Sequence, residues 1–345
     1  MPVQRGQYPR GGGADDPHRT GLLPLRMIMH SRALVGPLLA TVRAEQPDVL
    51  VYSSLFLWAR VVAHALDIPG VALWPTYAPN QQFAAQVRRA VAQGLTAADR
   101  EAIGEQFRWL RSTFQLPFDH PWALIRGQER LALVFLVPQF QPDLDALDDR
   151  YLFVGPCFRM DRDDTLPWTP PATTPSEHPH VYISLGTLHT DDPKFFDACL
   201  EAVAEQPWDV SMALGDRVAP ARLRPAPANV MVARRLPQLR VLSTADAFVG
   251  HGGMNSTMEA LAIGVPLVVR PSTAEQEMTG RRVRDLGLGV LLEREPGAPQ
   301  VRAAISEVLT DSALRSRVAG LQRSLRDAGG SVAAADALQR CAAAR

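Results

Sequence analysis

The sequence predicts an α/β protein made of two parallel-sheet domains. Three observations lead there. Short apolar strands alternate with helical stretches over short connections, the pattern of a parallel sheet. The strands are continuously apolar and do not alternate, as expected where helices cover both faces. A charged, Pro-rich stretch at 161–178, DRDDTLPWTPPATTPSEH, divides the chain. Prolines at that density neither continue a helix nor donate to a ladder, so this stretch is expected to be an interdomain linker. At 345 residues the chain has room for about two domains.

Residues 1–26 open with a polar, Gly-rich segment and are expected to be disordered. The first domain is expected over 27–160. Leu34, Leu38, Leu39 and Val42 share one face of a helix that ends before Pro47. Asp48–Tyr52 is a strand, Leu55–Leu66 a helix, Gly70–Trp74 a strand. Thr96 is placed to cap a helix running to about Phe114, with Asp99 in its first turn. Leu131–Val137 and Tyr151–Gly155 are further strands.

The second domain is expected over 179–345. His180–Gly186, Asp209–Gly215, Asn229–Arg234, Asp246–Gly250, Pro266–Arg270 and Gly289–Glu293 read as strands. Helices are expected at 194–205, from Leu239, at 256–263, at 274–286 and across 299–340.

Composition removes several function classes. Lys+Arg and Asp+Glu both number 36, so the net charge is +0. Such a chain has no basic field for nucleic acid or an anionic membrane surface. No apolar stretch reaches the roughly 18 residues of a membrane span, and none near the start resembles a secretory signal. The 3 cysteines, Cys157, Cys199 and Cys341, lie far apart. They suggest neither a disulfide framework nor a metal site, and a reducing cytoplasm fits them.

The chemistry concentrates in DAFVGHGGMNSTMEALAIGVPLVV. A strand ends at Gly250, two glycines follow His251, and Asn255-Ser256 opens a helix. Glycines at such a junction allow close backbone approach, and a helix start presents free N–H groups. A diphosphate could be held there without a metal, with His251 donating to a phosphate oxygen and Glu259 accepting from ribose hydroxyls. Simpler readings stand beside this one. Ser256-x-x-Glu259 also fits a capping box, and His251 a packed loop histidine. Ser184–Thr187 fits a plain turn before a helix, and Glu275–Gln276 a solvated first helical turn.

The stretch HGGMNSTMEALAIGVPLVVRPSTAEQ resembles the nucleotide-sugar motif of the family of UDP-glucuronosyltransferases, plant glucosyltransferases and bacterial macrolide glycosyltransferases, the bacterial type above all. RRLPQL (Arg234–Leu239), the SLGT turn (Ser184–Thr187), PDVLVY, DIPGVALWPTYAP and QFQPDLDALDDRYLFVGP extend the resemblance over roughly 27–340. The resemblance implies a GT-B fold, two Rossmann-like domains facing across a cleft. It implies inverting transfer of a hexose from a UDP- or TDP-sugar, a co-substrate and not a cofactor, to a hydroxyl of a small hydrophobic acceptor. No metal is implied, because a helix N-terminus stabilises the departing diphosphate. By motif position, Ser184, Gly186, Thr187, His251, Gly253, Asn255 and Ser256 would hold the diphosphate. Arg235, Gln238 and Glu259 would hold the nucleoside, and Glu275 and Gln276 the donor sugar. The aromatics Trp74, Tyr77, Phe83, Trp109, Phe114 and Trp122 lie in the half that takes the acceptor, each equally explicable as core.

Three departures accompany the match. No histidine follows an opening strand, where the family carries its general base, so the catalytic residue is unassigned; His18 and His30 read as surface residues. Ser53, followed by Ser54, stands where the family has an aspartate that orients the base. Arg235 stands where a tryptophan stacks on the nucleotide base. The acceptor domain is thus expected to be incomplete, either as a fragment of a longer product or with a protein partner covering the gap. The alternatives to a glycosyltransferase are an inactive sugar-nucleotide binder or accessory protein, or another GT-B enzyme such as an epimerase.

Overall fold

A computed structural model describes residues 23–79, 95–126, 128–159, 166, 168–169, 178–186 and 191–344. The expected linker at 161–178 therefore lies almost wholly outside the described residues, as do Thr187, Phe83 and His18.

Two all-parallel sheets organise the chain. The first runs β1 (Leu50–Ser53), β2 (Gly70–Trp74), β3 (Leu131–Val134), β4 (Tyr151–Phe153) in spatial order. Its helical layer comprises α1 (Leu23–Ile28), α2 (Ser31–Glu45), α3 (Leu57–Ala65), α4 (Ala97–Phe114) and α5 (Pro121–Arg126). The helix at Leu23–Ile28 falls where disorder was expected. Buried Leu25 and Ile28 explain it, because they pack into the cluster of Val35, Leu57, Val61 and Phe107. Thr96 caps α4 as expected: Asp99 N–H donates to Thr96 Oγ1 at 3.1 Å and Thr96 N–H to Asp99 Oδ2 at 3.0 Å. That reciprocal pair satisfies two otherwise orphaned donors. β1 is an edge strand, and its Val51 is 38% exposed.

The second sheet contains β5 (His180–Ser184), β6 (Asp209–Ala213), β7 (Val230–Ala233), β8 (Ala247–Gly250), β9 (Leu267–Val269) and β10 (Gly289–Leu291). Its spatial order is β10-β9-β8-β5-β6-β7. Numbered from β5, this is the 3-2-1-4-5-6 order of dinucleotide-binding sheets, whose order reverses between β5 and β8. Val181, Ile183, Val249 and Val268 are fully buried, each stabilising by roughly 1.5–3 kcal/mol. The covering helices are α6 (Pro193–Val203), α7 (Gln238–Leu242), α8 (Met254–Ile263), α9 (Ala274–Asp285), α10 (Ala298–Thr310) and α11 (Ser312–Asp327).

The final helix, α12 (Gly330–Ala343), returns to the first sheet, where Ala334 and Ala337 pack on Val71, Leu133 and Val154. The segment after β3 also meets α9 of the second domain. Arg282 on α9 donates through Nε to Phe140 O at 3.0 Å and through Nη2 to Gln139 O at 2.6 Å. Gln141 in turn accepts from Ala78 N–H at 3.0 Å, joining the segment after β2 to this contact.

Trp74 and Tyr77 are core residues of that junction, and Tyr77 stacks on Phe140 with centroids 6.1 Å apart. Trp109 and Phe114 contact edge-on at 5.8 Å beside the helical cluster. The Trp122 side chain lies outside the described residues.

Candidate functional site

Strand register brings the site together. Ser184 on β5 pairs with Gly250 on β8, and Gly250 with Val269 on β9. The three strands end at one level, so the segments after them share one mouth, at the point where strand order reverses. Open α/β sheets bind ligands at such switch points.

Glycines shape that mouth around one imidazole. A Cβ on Gly186 would lie 2.6 Å from His251 Cε1, and one on Gly253 would lie 2.4 Å from His251 Nε2. Only glycine at both positions lets the ring lie between the two segments. Gly186 has φ +75, a conformation that L side chains rarely adopt. Its N–H donates to Ser184 Oγ at 3.3 Å.

α8 begins at Met254 with Gly253 as its N-cap, and no side chain caps it. The helix therefore starts earlier than the expected Asn255-Ser256, and the alternative capping box does not form. Buried Met254 anchors the first turn, while Ser256 sits inside that turn and not before it. With no capping side chain, the first N–H groups and the positive end of the helix dipole face the mouth.

Ser256 and Glu259 instead share a partner. Gln238 Nε2, at the start of α7, donates to Ser256 Oγ at 3.0 Å and to Glu259 Oε2 at 2.5 Å. Three expected site residues thus form one cluster, with Glu259 buried. Arg235 lies at the same carboxyl edge but is exposed. Its guanidinium pairs with Asp216, as does that of Arg234, and these contacts hold the Asp216 carboxyl below its ordinary range.

The expected sugar residues occupy the start of α9. Thr273 caps this helix, accepting from Gln276 N–H at 3.3 Å. Gln276 Oε1 accepts from Ser272 N–H at 2.8 Å and Thr273 N–H at 3.1 Å. The alternative of a solvated first turn does not hold at Gln276, which is buried and whose amide oxygen is engaged locally. Glu275 keeps a solvent-exposed surface, yet protein crowds its carboxyl, as at the wall of an open cleft. Desolvation raises its pKa, and a hydrogen bond with Thr76 from the first sheet opposes the rise. Thr76, which meets this wall, was not singled out in the sequence. Arg270, a buried cation directly after β9, also carried no motif signal beyond a charge closing an apolar run.

At the end of β1, Ser53 Oγ accepts from Leu55 N–H at 3.4 Å, and Ser54 is buried. His30 is exposed. Among the described residues, no group of three His, Cys, Asp or Glu side chains is placed to hold a metal. None of the described helices is long and apolar enough to cross a membrane.

Comparison with known proteins agrees with this geometry. Residues 197–328 match the family described as erythromycin biosynthesis protein CIII-like, C-terminal domain. The chain is 35% identical over 315 residues to the NDP-glycosyltransferase YjiC of Bacillus subtilis, covering 90% of this chain and 77% of that protein. It is 33% identical over 328 residues to the demethyllactenocin mycarosyltransferase of Streptomyces fradiae, covering 91% of this chain and 68% of that protein. The solved kitacinnamycin glycosyltransferase superposes with a TM-score of 0.83 at 29% identity, covering 96% of this chain and 84% of that one.

Proposed function

We propose a reaction from one premise: this chain belongs to the bacterial secondary-metabolite glycosyltransferases of GT-B fold. The reaction is transfer of a hexose, with inversion, from a UDP- or TDP-sugar to a hydroxyl of a small hydrophobic natural product. The observation that carries it is the uncapped start of α8 at the strand-order reversal, beside an imidazole set between Gly186 and Gly253.

The residues divide the work. His251 donates to a phosphate oxygen. The first N–H groups of α8, with Asn255 and the Ser256 hydroxyl, take the remaining diphosphate charge. Ser184, Gly186 and Thr187 close the mouth from β5. As the glycosidic bond to the leaving oxygen lengthens, negative charge grows on the diphosphate. Fixed N–H dipoles stabilise that charge without reorganising. Glu259 accepts from the ribose hydroxyls while Gln238 holds it in place. Arg235 stacks on the base, guanidinium being suited to that role. Glu275 accepts from a sugar hydroxyl, and Gln276 donates through its amide nitrogen, its oxygen being engaged by Ser272 and Thr273. The acceptor enters from the Thr76–Tyr77 side, and the chain works in the cytoplasm. A protein partner would add at the open edge of β1.

Calorimetry with UDP and TDP tests the donor half, and no heat at millimolar nucleotide overturns it. A turnover assay with hydrophobic alcohols tests the chemistry. Ser53 at the end of β1 favours a second reading, a sugar-nucleotide binder without turnover. That reading predicts nucleotide binding with no transfer to any acceptor.

A further inference from the structure

Arg270 is a buried cation at the donor mouth to which no role has been given. It directly follows β9, and every nitrogen of its guanidinium has a named partner. Nε donates to Arg294 O at 2.7 Å, Nη1 to Ser272 Oγ at 2.9 Å, and Nη2 pairs with Asp192. The guanidinium also lies 5.0 Å from the Phe195 ring centroid. Asp192 caps α6, its Oδ1 accepting from Phe195 N–H at 3.1 Å. It therefore stands at the start of the helix that follows β5 in the chain. Ser272 donates its N–H to Gln276 Oε1 at 2.8 Å. One cation thus grips the cap of α6 with one nitrogen and the turn that sets Gln276 with another.

We propose that Arg270 is a positioning residue that fixes the Ser272–Gln276 turn against the start of α6, and so sets the place of the donor sugar relative to its diphosphate. The inference rests on the assignment of Glu275 and Gln276 to the sugar. No side-chain bond of Arg270 reaches the start of α8, Gln238 or Glu259, so its loss is expected to act on the donor sugar more than on the diphosphate. Lysine cannot replace it. An ammonium has no planar fork with which to hold Asp192, Ser272 Oγ and Arg294 O together.

Calorimetry on the full chain tests this without an acceptor. The donor of the pair UDP-glucose and TDP-glucose that the wild type binds more tightly is compared with its parent diphosphate. Arg270→Lys is expected to weaken the sugar nucleotide about tenfold and the parent diphosphate by less than about twofold. Ser272→Ala, which removes one acceptor, and Asp192→Asn, which retains a capping oxygen, follow in the same direction by about threefold. These milder variants keep the test open if Arg270→Lys fails to fold. Equal losses for both ligands, or none for either, overturn the proposal, because a purely structural role moves both together. Glu275→Gln separates the two levels of inference. If it leaves the sugar nucleotide unaffected, the sugar assignment falls and this inference with it. If it weakens the sugar nucleotide while the Arg270, Ser272 and Asp192 variants do not, only the positioning role falls.

Discussion

Gly253→Ala isolates the contribution of His251 to anion binding. The backbone at Gly253, φ −66 and ψ 130, suits any residue, so alanine brings no conformational strain. Its Cβ, however, would sit 2.4 Å from His251 Nε2 and 2.9 Å from Cε1. The ring must swing away, and Gly186 closes its other side, where a Cβ position lies 2.6 Å from the same Cε1. A hydrogen bond to a charged group contributes about 1.5–3 kcal/mol, so displacing the ring is expected to weaken UDP or TDP roughly 10- to 150-fold. The folded state loses less, up to about 1 kcal/mol for alanine at an N-cap in place of glycine. Gly252→Ala provides the contrast. There φ is +81 and the new Cβ would meet Val269 Cγ1 at 2.8 Å and Gln276 O at 2.9 Å, so stability falls first. Calorimetry with UDP and TDP, alongside thermal melts, reads both. Wild-type nucleotide affinity in a well-folded Gly253→Ala protein refutes the role of this mouth.

Gln238→Ala and Glu259→Gln are each expected to weaken UDP or TDP by about five- to thirtyfold, the worth of one to two hydrogen bonds, with the nucleoside 5′-diphosphates affected and inorganic pyrophosphate unaffected in competition. His180 gives a pH prediction for stability. It is buried between Thr244 Oγ1 at 3.0 Å and Ser211 Oγ at 2.9 Å, and desolvation lowers its pKa below the ordinary value. The unfolded chain therefore binds a proton that the folded chain refuses, and stability declines as pH falls below about 6.5. Urea melts across that range should show the decline, and His180→Asn should flatten it.

How much of this was legible in the sequence depended on the range of each interaction. The strands of both sheets were legible because burial on two faces leaves a continuous apolar run, as in Val181–Ile183. Thr96 and Asp99 were legible because a capping box is local. The α8 start was misplaced by two residues because Gly253 offers no side chain as a signal, and Ser256 mimics a cap while bonding to Gln238. Gln238, Ser256 and Glu259 were singled out by motif, but their mutual bonds had no sequence signature. Arg270 and Asp192 stand 78 positions apart, and Arg282 reaches a carbonyl 142 positions away. No periodicity encodes such pairs; they exist only once the strands have set their register.

Under the proposed function, donor binding and turnover make separate demands on this chain. Residues of the second sheet and its helices are assigned to the diphosphate. Transfer also requires a group that removes the acceptor proton, a contribution typically worth 10²–10⁴-fold. Ser53, at the end of β1, has no charge with which to orient such a base, and its hydroxyl already accepts a backbone N–H. His30, the N-cap of α2, and His64, in the last turn of α3, are exposed and are read as surface residues. Replacing each by glutamine is therefore expected to change any transfer rate by less than about twofold, and to leave UDP and TDP affinity unchanged. Loss of transfer by 10² or more in either variant, with nucleotide affinity intact, would make that histidine the base and refute its assignment to the surface.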